Sequence, residues 1–344
     1  MRIFKPLSTT RIGIDIGHHS IKAAAMRRDG ARIVLTHAAT LTLRTPGTFD
    51  TVEAQRLADL LRRRDFKPGP VAVVAPARAL MCAVLELPPE NGAAPIAQIA
   101  RMEAARIHKQ TPDAFEQMHW RLPVPARSNR AAPALSAVVP HAATRSVVGP
   151  LTAAGFDVAA VDGWIFAAAR ACQPLLGVAP AMTAILDMGA SAARILLTIG
   201  ETIASIREVP EAGIDQLLRS IAEDVTGDPF VAAELLKRYT VEPTAAPELE
   251  QSLSAYVASI EAEVTASFEY AAQQYPDSPT AKLILMGAGA ALPQLAERLG
   301  AAFDRPVVAV TGEALADAAP ITIDAPFSAA YTLALGAAQH PEAA

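Results

Sequence analysis

Only two cysteines, Cys82 and Cys172, occur in the 344-residue chain, and they lie in separate apolar segments. A disulfide framework and a cysteine-based zinc site therefore have nothing to be built from, and a reducing compartment is expected. Neither sign of charge dominates. Lys and Arg number 30 against 35 Asp and Glu, a formal net charge of −5, so no general basic face is available for nucleic acid. Long clean hydrophobic runs are missing as well. The longest apolar stretch, Ile165 to Leu186, is interrupted by Arg170, Gln173, Pro174 and Pro180, whereas a membrane span needs about 20 apolar residues. The opening Met1 to Thr10 carries Arg2 and Lys5 but lacks the apolar core of a signal peptide, and it reads as a frayed terminus. We expect a cytoplasmic chain with no direct membrane insertion.

What is abundant is apolar: 51% of residues are hydrophobic. That excludes disorder, and at roughly 100 to 200 residues per domain it supports two compact units or one large composite one. Alanine makes up roughly a fifth of the chain, and Arg outnumbers Lys 24 to 6. One compositional bias accounts for both excesses, so alanine at a motif position carries little meaning.

Hydrophobic periodicity organises the chain. RIGIDI (Arg11 to Ile16) and IKAAAM (Ile21 to Met26) flank a polar GHHS turn and read as a hairpin, with a third strand from Arg32 to Leu43. Glu53 to Arg64 is an amphipathic helix with Leu57, Leu60 and Leu61 inward, and VAVVA (Val71 to Ala75) is a buried strand. From Ala79 to about Pro140 a strand, a helix (Ala93 to His108) and two more strands form a small α/β insertion, crossed by a surface loop from Pro123 to Pro133 with Arg127, Ser128, Asn129 and Arg130. Helix, strand and helix follow to Cys172. A second half opens at MTAILD (Met182 to Asp187) and repeats the strand, Asp, Gly, strand order of the first, which is a duplication of pattern. After helices to Gln274 come strand Ala281 to Met286, a glycine turn, helix Leu292 to Ala302, strand Val307 to Val310 and helix Ser328 to Ala338. Trp120 and Trp164 read as core anchors. The stripe Leu253, Val257, Ile260, Val264 and Phe268 reads as the inner face of a core helix or as a partner seam.

Three turns carry possible chemistry. In the first, Asp15 ends a buried strand and could hold a hydrated Mg²⁺, Gly17 lets backbone approach a phosphate, Ser20 offers a hydroxyl and Lys22 a point charge. An ordinary polar hairpin is the plain alternative. Asp187, with Gly189 after it, repeats the device. LILMGAGAALP (Leu283 to Pro293) is a strand, a turn with Gly287 and Gly289, and a helix start that could lie flat against a nucleotide. His18 and His19 invite a metal reading, but a zinc site needs three or four convergent ligands, so solvent-facing loop residues are expected.

On these residues the chain resembles the actin-like ATPase superfamily, and most closely its PilM branch of type IV pilus assembly proteins, related to the cell-division protein FtsA. GIDIGHHSIKA looks like the family's first phosphate loop, LDMGASAARILL like its second, and LILMGAGAALPQLAERLG like its adenosine motif. REVPEAGIDQLL, which contains Gly213, is similar to its R-x-x-x-x-G-G segment, and Ala233 to Lys237 to its A-E-x-x-K. LELP (Leu85 to Pro88) and the helix with Glu103 and Ala104 look like the FtsA and PilM subdomain insertion, and AYTLALG (Ala330 to Gly336) like the closing helix of the first lobe.

The resemblance implies an α/β, two-lobed actin-like ATPase fold with a duplicated mixed-sheet core. The first lobe would take residues 1–78 and 142–180, the inserted subdomain 79–141, the second lobe 181–323, and the closing helix and tail 324–344. It implies ATP and Mg²⁺, with Asp15 and Asp187 holding the metal and Gly17, Ser20, Lys22 and Gly189 at phosphate. Glu234 and Lys237 would take ribose and base, Gly287 and Gly289 would flank the adenosine, and Gly213 would be a further cofactor-binding position. Slow, regulatory hydrolysis is expected at most. The implied partner is the cytoplasmic tail of a PilN-like single-span inner-membrane protein, bound beside the insertion, together with other pilus machine components, with self-association open. Two rivals use the same fold: a nucleotide-free adaptor of a pilus or type II secretion machine, and a sugar or acyl kinase.

Overall fold

The computed structural model describes residues 11–29, 32–88, 94–123, 133–318, 321–323 and 327–341. The opening Met1 to Thr10, residues 124–132 of the expected surface loop (Arg127, Ser128, Asn129 and Arg130 among them) and Ala93 lie outside them. Contacts divide the chain into two units, one of Met1–Pro174, Leu315–Phe327 and Tyr331–Ala344, the other of Leu175–Ala314 and Ser328–Ala330.

Unit 1 starts with the meander β1 (Arg11–Ile16), β2 (Ser20–Asp29) and β3 (Arg32–Thr42), followed by α1 (Thr51–Arg63) and β4 (Val71–Val74). Asp50 caps α1 by accepting from the Glu53 N–H at 2.8 Å, one of the donors a helix start leaves unpaired. The inserted part is β5 (Met81–Leu85), α2 (Ile96–His108), β6 (Phe115–Arg121) and β7 (Ala134–Pro140); α3 (His141–Ala153), β8 (Val158–Asp162) and α4 (Trp164–Cys172) then complete the run.

Unit 2 opens with a second meander, β9 (Met182–Met188), β10 (Ala193–Ile199) and β11 (Thr202–Val209). It continues through α5 (Ile214–Ile221), α6 (Pro229–Val241), α7 (Glu250–Gln274), β12 (Thr280–Met286), α8 (Leu295–Phe303) and β13 (Val307–Ala309). After α9 (Gly312–Ala318) the chain returns to unit 1 as β14 (Ile321–Ile323) and α10 (Thr332–Ala338).

The two main sheets share a topology. Unit 1 orders its strands β14-β3-β2-β1-β4-β8, and unit 2 orders its own β11-β10-β9-β12-β13. In each, the first strand of an antiparallel meander pairs in parallel with the strand after the first crossover, and that strand pairs in parallel with the next. The duplication expected from sequence is therefore a duplication of sheet. β14, parallel to β3, is an addition that the sequence reading did not contain.

Burial on both faces of the central strands explains their unbroken apolar runs. In unit 1, Ile12, Ile14, Ala23, Val71 and Val73 pack with Leu57 and Leu61 of α1 and Val147 and Leu151 of α3. α10 covers β1 at very short range: a β-carbon on Gly13 would lie 1.8 Å from the Ala334 carbonyl oxygen. In unit 2, Leu253, Tyr256, Ile260 and Val264 of α7 lie in the core with the sheet, and Val257 and Phe268 pack against it. That stripe is a core face.

The insertion forms an antiparallel sheet in the order β5-β7-β6. Met81, Ala83, Leu85, Ala134, Val138 and Phe115 pack with α2 on one face. Alternation places Cys82, Val84, Leu135, Ala137, Met118 and Trp120 on the other. Trp164 is buried as expected, whereas Trp120 is half-buried and meets Phe166 edge to face, with ring centres 5.5 Å apart. A large aromatic in an apolar segment marked a face of the sheet rather than its centre. Among the described residues no helix is long and apolar enough to cross a membrane.

Candidate functional site

The four residues expected at the first turn come together at one end of the β1–β2 hairpin. Asp15 lies directly across from Lys22 in the register, and Gly17 donates its N–H to the Ser20 carbonyl at 3.0 Å. A β-carbon on Gly17 would stand 3.0 Å from both Lys22 Nζ and the Ser20 carbonyl oxygen. A side chain here would crowd the lysine end and the Ser20 carbonyl, so close packing of the turn, not an unusual backbone angle, favours glycine. The turn is held from outside by the chain after β3, since the N–H groups of Leu43 and Gly47 donate to the carbonyls of His19 (2.9 Å) and His18 (2.6 Å). The two imidazoles meet edge to face at 4.8 Å, His18 half-buried and His19 exposed.

The second turn repeats this geometry in unit 2. Asp187 lies directly across from Arg194, and a β-carbon on Gly189 would stand 3.6 Å from Arg194 Nη1. Arg194 donates from Nη1 to Asp187 Oδ2 at 3.1 Å, and its Nε lies 3.7 Å from Glu208 Oε2 on β11. Asp187 is 3% exposed and Arg194 8%. A charged pair so buried is tolerable only because each member has a partner.

Three glycines pack this second site against itself. A β-carbon on Gly213 would lie 2.4 Å from the Ala190 carbonyl oxygen, and one on Gly287 2.6 Å from Asp187 Oδ1. At Gly289 the space is claimed by Ile214 Cδ1 (2.7 Å) and Met188 Cβ (2.8 Å). Gly287 also has φ +83°, a region that side-chain-bearing residues avoid. The first two N–H groups of α5, from Ile214 and Asp215, donate to the carbonyls of Gly189 (3.1 Å) and Ala190 (2.9 Å), so the turn itself caps this helix. The Tyr256 hydroxyl donates to the Ala212 carbonyl at 2.8 Å and ties α7 to the same turn, and burial pushes its ionisation upward.

Glu234 and Lys237 lie on α6, whose inner face is Ala232, Leu236 and Tyr239. Their side chains are 58% and 74% exposed and approach each other to 3.9 Å. The structure thus gathers Asp187, Gly189, Gly213, Gly287 and Gly289, and sets Glu234 with Lys237 as a separate exposed pair. Arg194 was missed. Its signal was in the spacing, because Asp15 to Lys22 and Asp187 to Arg194 span the same interval (22 − 15 = 194 − 187 = 7).

No protein-family model and no curated protein sequence matches the chain. Solved structures do. The chain superposes on a PilM-PilN type IV pilus biogenesis complex with a TM-score of 0.77 and 19% identity, covering 96% of this chain and 97% of that one. The fold is that of the actin-like ATPases. The ethanolamine utilization protein EutJ from Carboxydothermus hydrogenoformans shares it with a TM-score of 0.55 and 12% identity over 98% of this chain and 90% of that one.

Proposed function

We propose that this actin-like chain is a nucleotide-binding scaffold of a type IV pilus machine, held at the inner membrane by docking the cytoplasmic tail of a PilN-like single-span protein. Likeness to a PilM-PilN complex over nearly the whole chain supports the machine. The observation that carries the docking is the open face of the inserted sheet. Val84 on β5 and Met118 on β6 are 54% and 59% exposed there, while Leu135 and Ala137 on the strand between them are buried. β5 and β6 are also the edges of that sheet, with main-chain groups available to an extended peptide.

At the β1–β2 turn the residues suit a nucleotide phosphate, with Lys22 as the charge held close to Gly17. Magnesium, when bound with the nucleotide, would neutralise phosphate charge; Asp15 and the Ser20 hydroxyl offer the hard oxygens it takes. Any hydrolysis is slow, since no residue in either turn is committed as a general base.

A second reading, the nucleotide-free adaptor, draws on one specific feature. In unit 2 the clearances at Gly213, Gly287 and Gly289 are filled by protein atoms, so those glycines are explained by packing alone. One measurement tests the docking and a second separates the readings. Cross-linking to a tail peptide of the single-span protein encoded beside it should label the inserted sheet, and Val84→Asp with Met118→Asp should weaken the peptide at least tenfold. Labels confined to Ala212 to Tyr275 would displace the docking site. Calorimetric titration with ATP decides the nucleotide, and no heat of binding with or without Mg²⁺ leaves the adaptor.

A further inference from the structure

The duplicated sheets place a cation at the same point in both. Lys22 faces Asp15 and Arg194 faces Asp187, each pair seven residues apart across a four-residue turn that starts with glycine. Each cation lies directly under that glycine, 3.0 Å (Lys22 Nζ) and 3.6 Å (Arg194 Nη1) from where its β-carbon would be. Two turns with one register, one length and one buried or half-buried cation beneath the leading glycine are built to receive the same kind of group. A phosphate is the group that suits both, and a planar guanidinium with several donors grips it with more directionality than an ammonium.

The same contacts limit what Asp187 can do. Its Oδ2 accepts from Arg194, its Oδ1 faces Gly287, where a β-carbon would lie 2.6 Å away, and little of it is exposed. A hydrated Mg²⁺ brings a shell of waters that needs an open side, which a carboxylate 3% exposed does not offer, whereas Asp15 is only half-buried. Asp187 therefore does not fit the metal role. Resting on the nucleotide-binding reading above, we propose that Arg194 is the phosphate ligand of the second turn and that Asp187 is the anchor that orients it, so that unit 2 supplies no metal ligand.

The test uses the full chain, titrated with ATP in Mg²⁺ and in EDTA, and with Mn²⁺ plus ATP followed by electron paramagnetic resonance. Arg194→Gln should weaken ATP at least tenfold in both buffers, and Arg194→Lys should recover most of the loss. Because Arg194→Gln strands a buried carboxylate, the Arg194→Gln/Asp187→Asn pair serves as the folding control and should bind as weakly with an unchanged circular dichroism spectrum. At Mn²⁺ and ATP concentrations that saturate each variant, Asp187→Asn should give the wild-type Mn²⁺ spectrum, its ATP affinity falling with the loss of the Arg194 anchor, whereas Asp15→Asn should change that spectrum. ATP binding by Arg194→Gln equal to wild type, or a changed Mn²⁺ spectrum in saturated Asp187→Asn, overturns the assignment alone. A wild type that binds no ATP in either buffer overturns the nucleotide reading and this assignment with it.

Discussion

Gly336 of α10 lies so close to Ala167 of α4 that a β-carbon on it would stand 1.9 Å from the Ala167 carbonyl oxygen. The two helices meet through backbone, and Ala334, Leu335, Ala337 and Ala338 are fully buried around the contact. Arg170 closes the other side, donating from Nε to the Gly336 carbonyl at 3.1 Å while its Nη2 pairs with the buried Asp162; burial lowers its ionisation to about 10.

Gly336→Ala should therefore destabilise the protein by about 3 kcal/mol, the upper end of what overpacking costs. Gly300→Ala makes the contrast. That glycine is inside α8, and a β-carbon there would meet ordinary contacts at 3.6 to 4.0 Å. Helix propensity should then raise stability by about 0.5 to 1 kcal/mol. Urea unfolding of both variants checks the signs; a Gly336→Ala midpoint equal to wild type would mean the helices can part without penalty.

The Cys82 thiol is pushed up to about 12 by burial. Since the thiolate is the reactive form, its alkylation at pH 8 should run about a thousandfold slower than that of a free thiol. Mass spectrometry of iodoacetamide-treated native protein should find Cys82 unmodified, and denaturant should expose both cysteines. Rapid native labelling at Cys82 would show that β5 opens in the native protein.

Acid should weaken unit 1 through two histidines. Desolvation lowers the ionisation of His108, whose Nε2 is buried without a hydrogen-bond partner, and desolvation is also the largest cause of the lowering at His340. With the folded values depressed, the unfolded chain takes up protons first as pH falls below about 6.5. Stability contributed by the neutral rings is complete above that pH and is lost as pH falls toward the folded values. Urea midpoints at pH 7.5 and 5.5 should differ less in His108→Leu than in wild type; an equal difference would remove His108 from the account.

Much of this was legible in the sequence, for reasons of period. RIGIDI and MTAILD alternate or run apolar because their strands are buried, and the α7 stripe recurs at helical steps because one face meets the sheet. What escaped reading depends on partners distant in sequence. Three-residue β14 has too few positions to show a pattern and exists only because β3 accepts it. In the sequence Glu53 marks only the start of the α1 pattern, yet its side chain is buried between Arg44 and Arg56. Gly289 was expected to clear a nucleotide face, but the atoms in its space are Ile214 and Met188. Arg194 looked like one arginine among 24 until the register set it across from Asp187.

The placement of α10 also bears on biosynthesis. A ribosome delivers β1 first and the helix that must lie against Gly13 only after all of unit 2 has emerged. Until then the apolar side of β1 awaits its cover, and the contact that closes it spans more than 300 residues, from Gly13 to Ala334. Loop closure over such a distance is slow. Unit 2, nearly continuous in sequence, can be complete while unit 1 is still open, so the nascent chain passes through a stage in which chaperones have one finished unit and one exposed sheet to attend to.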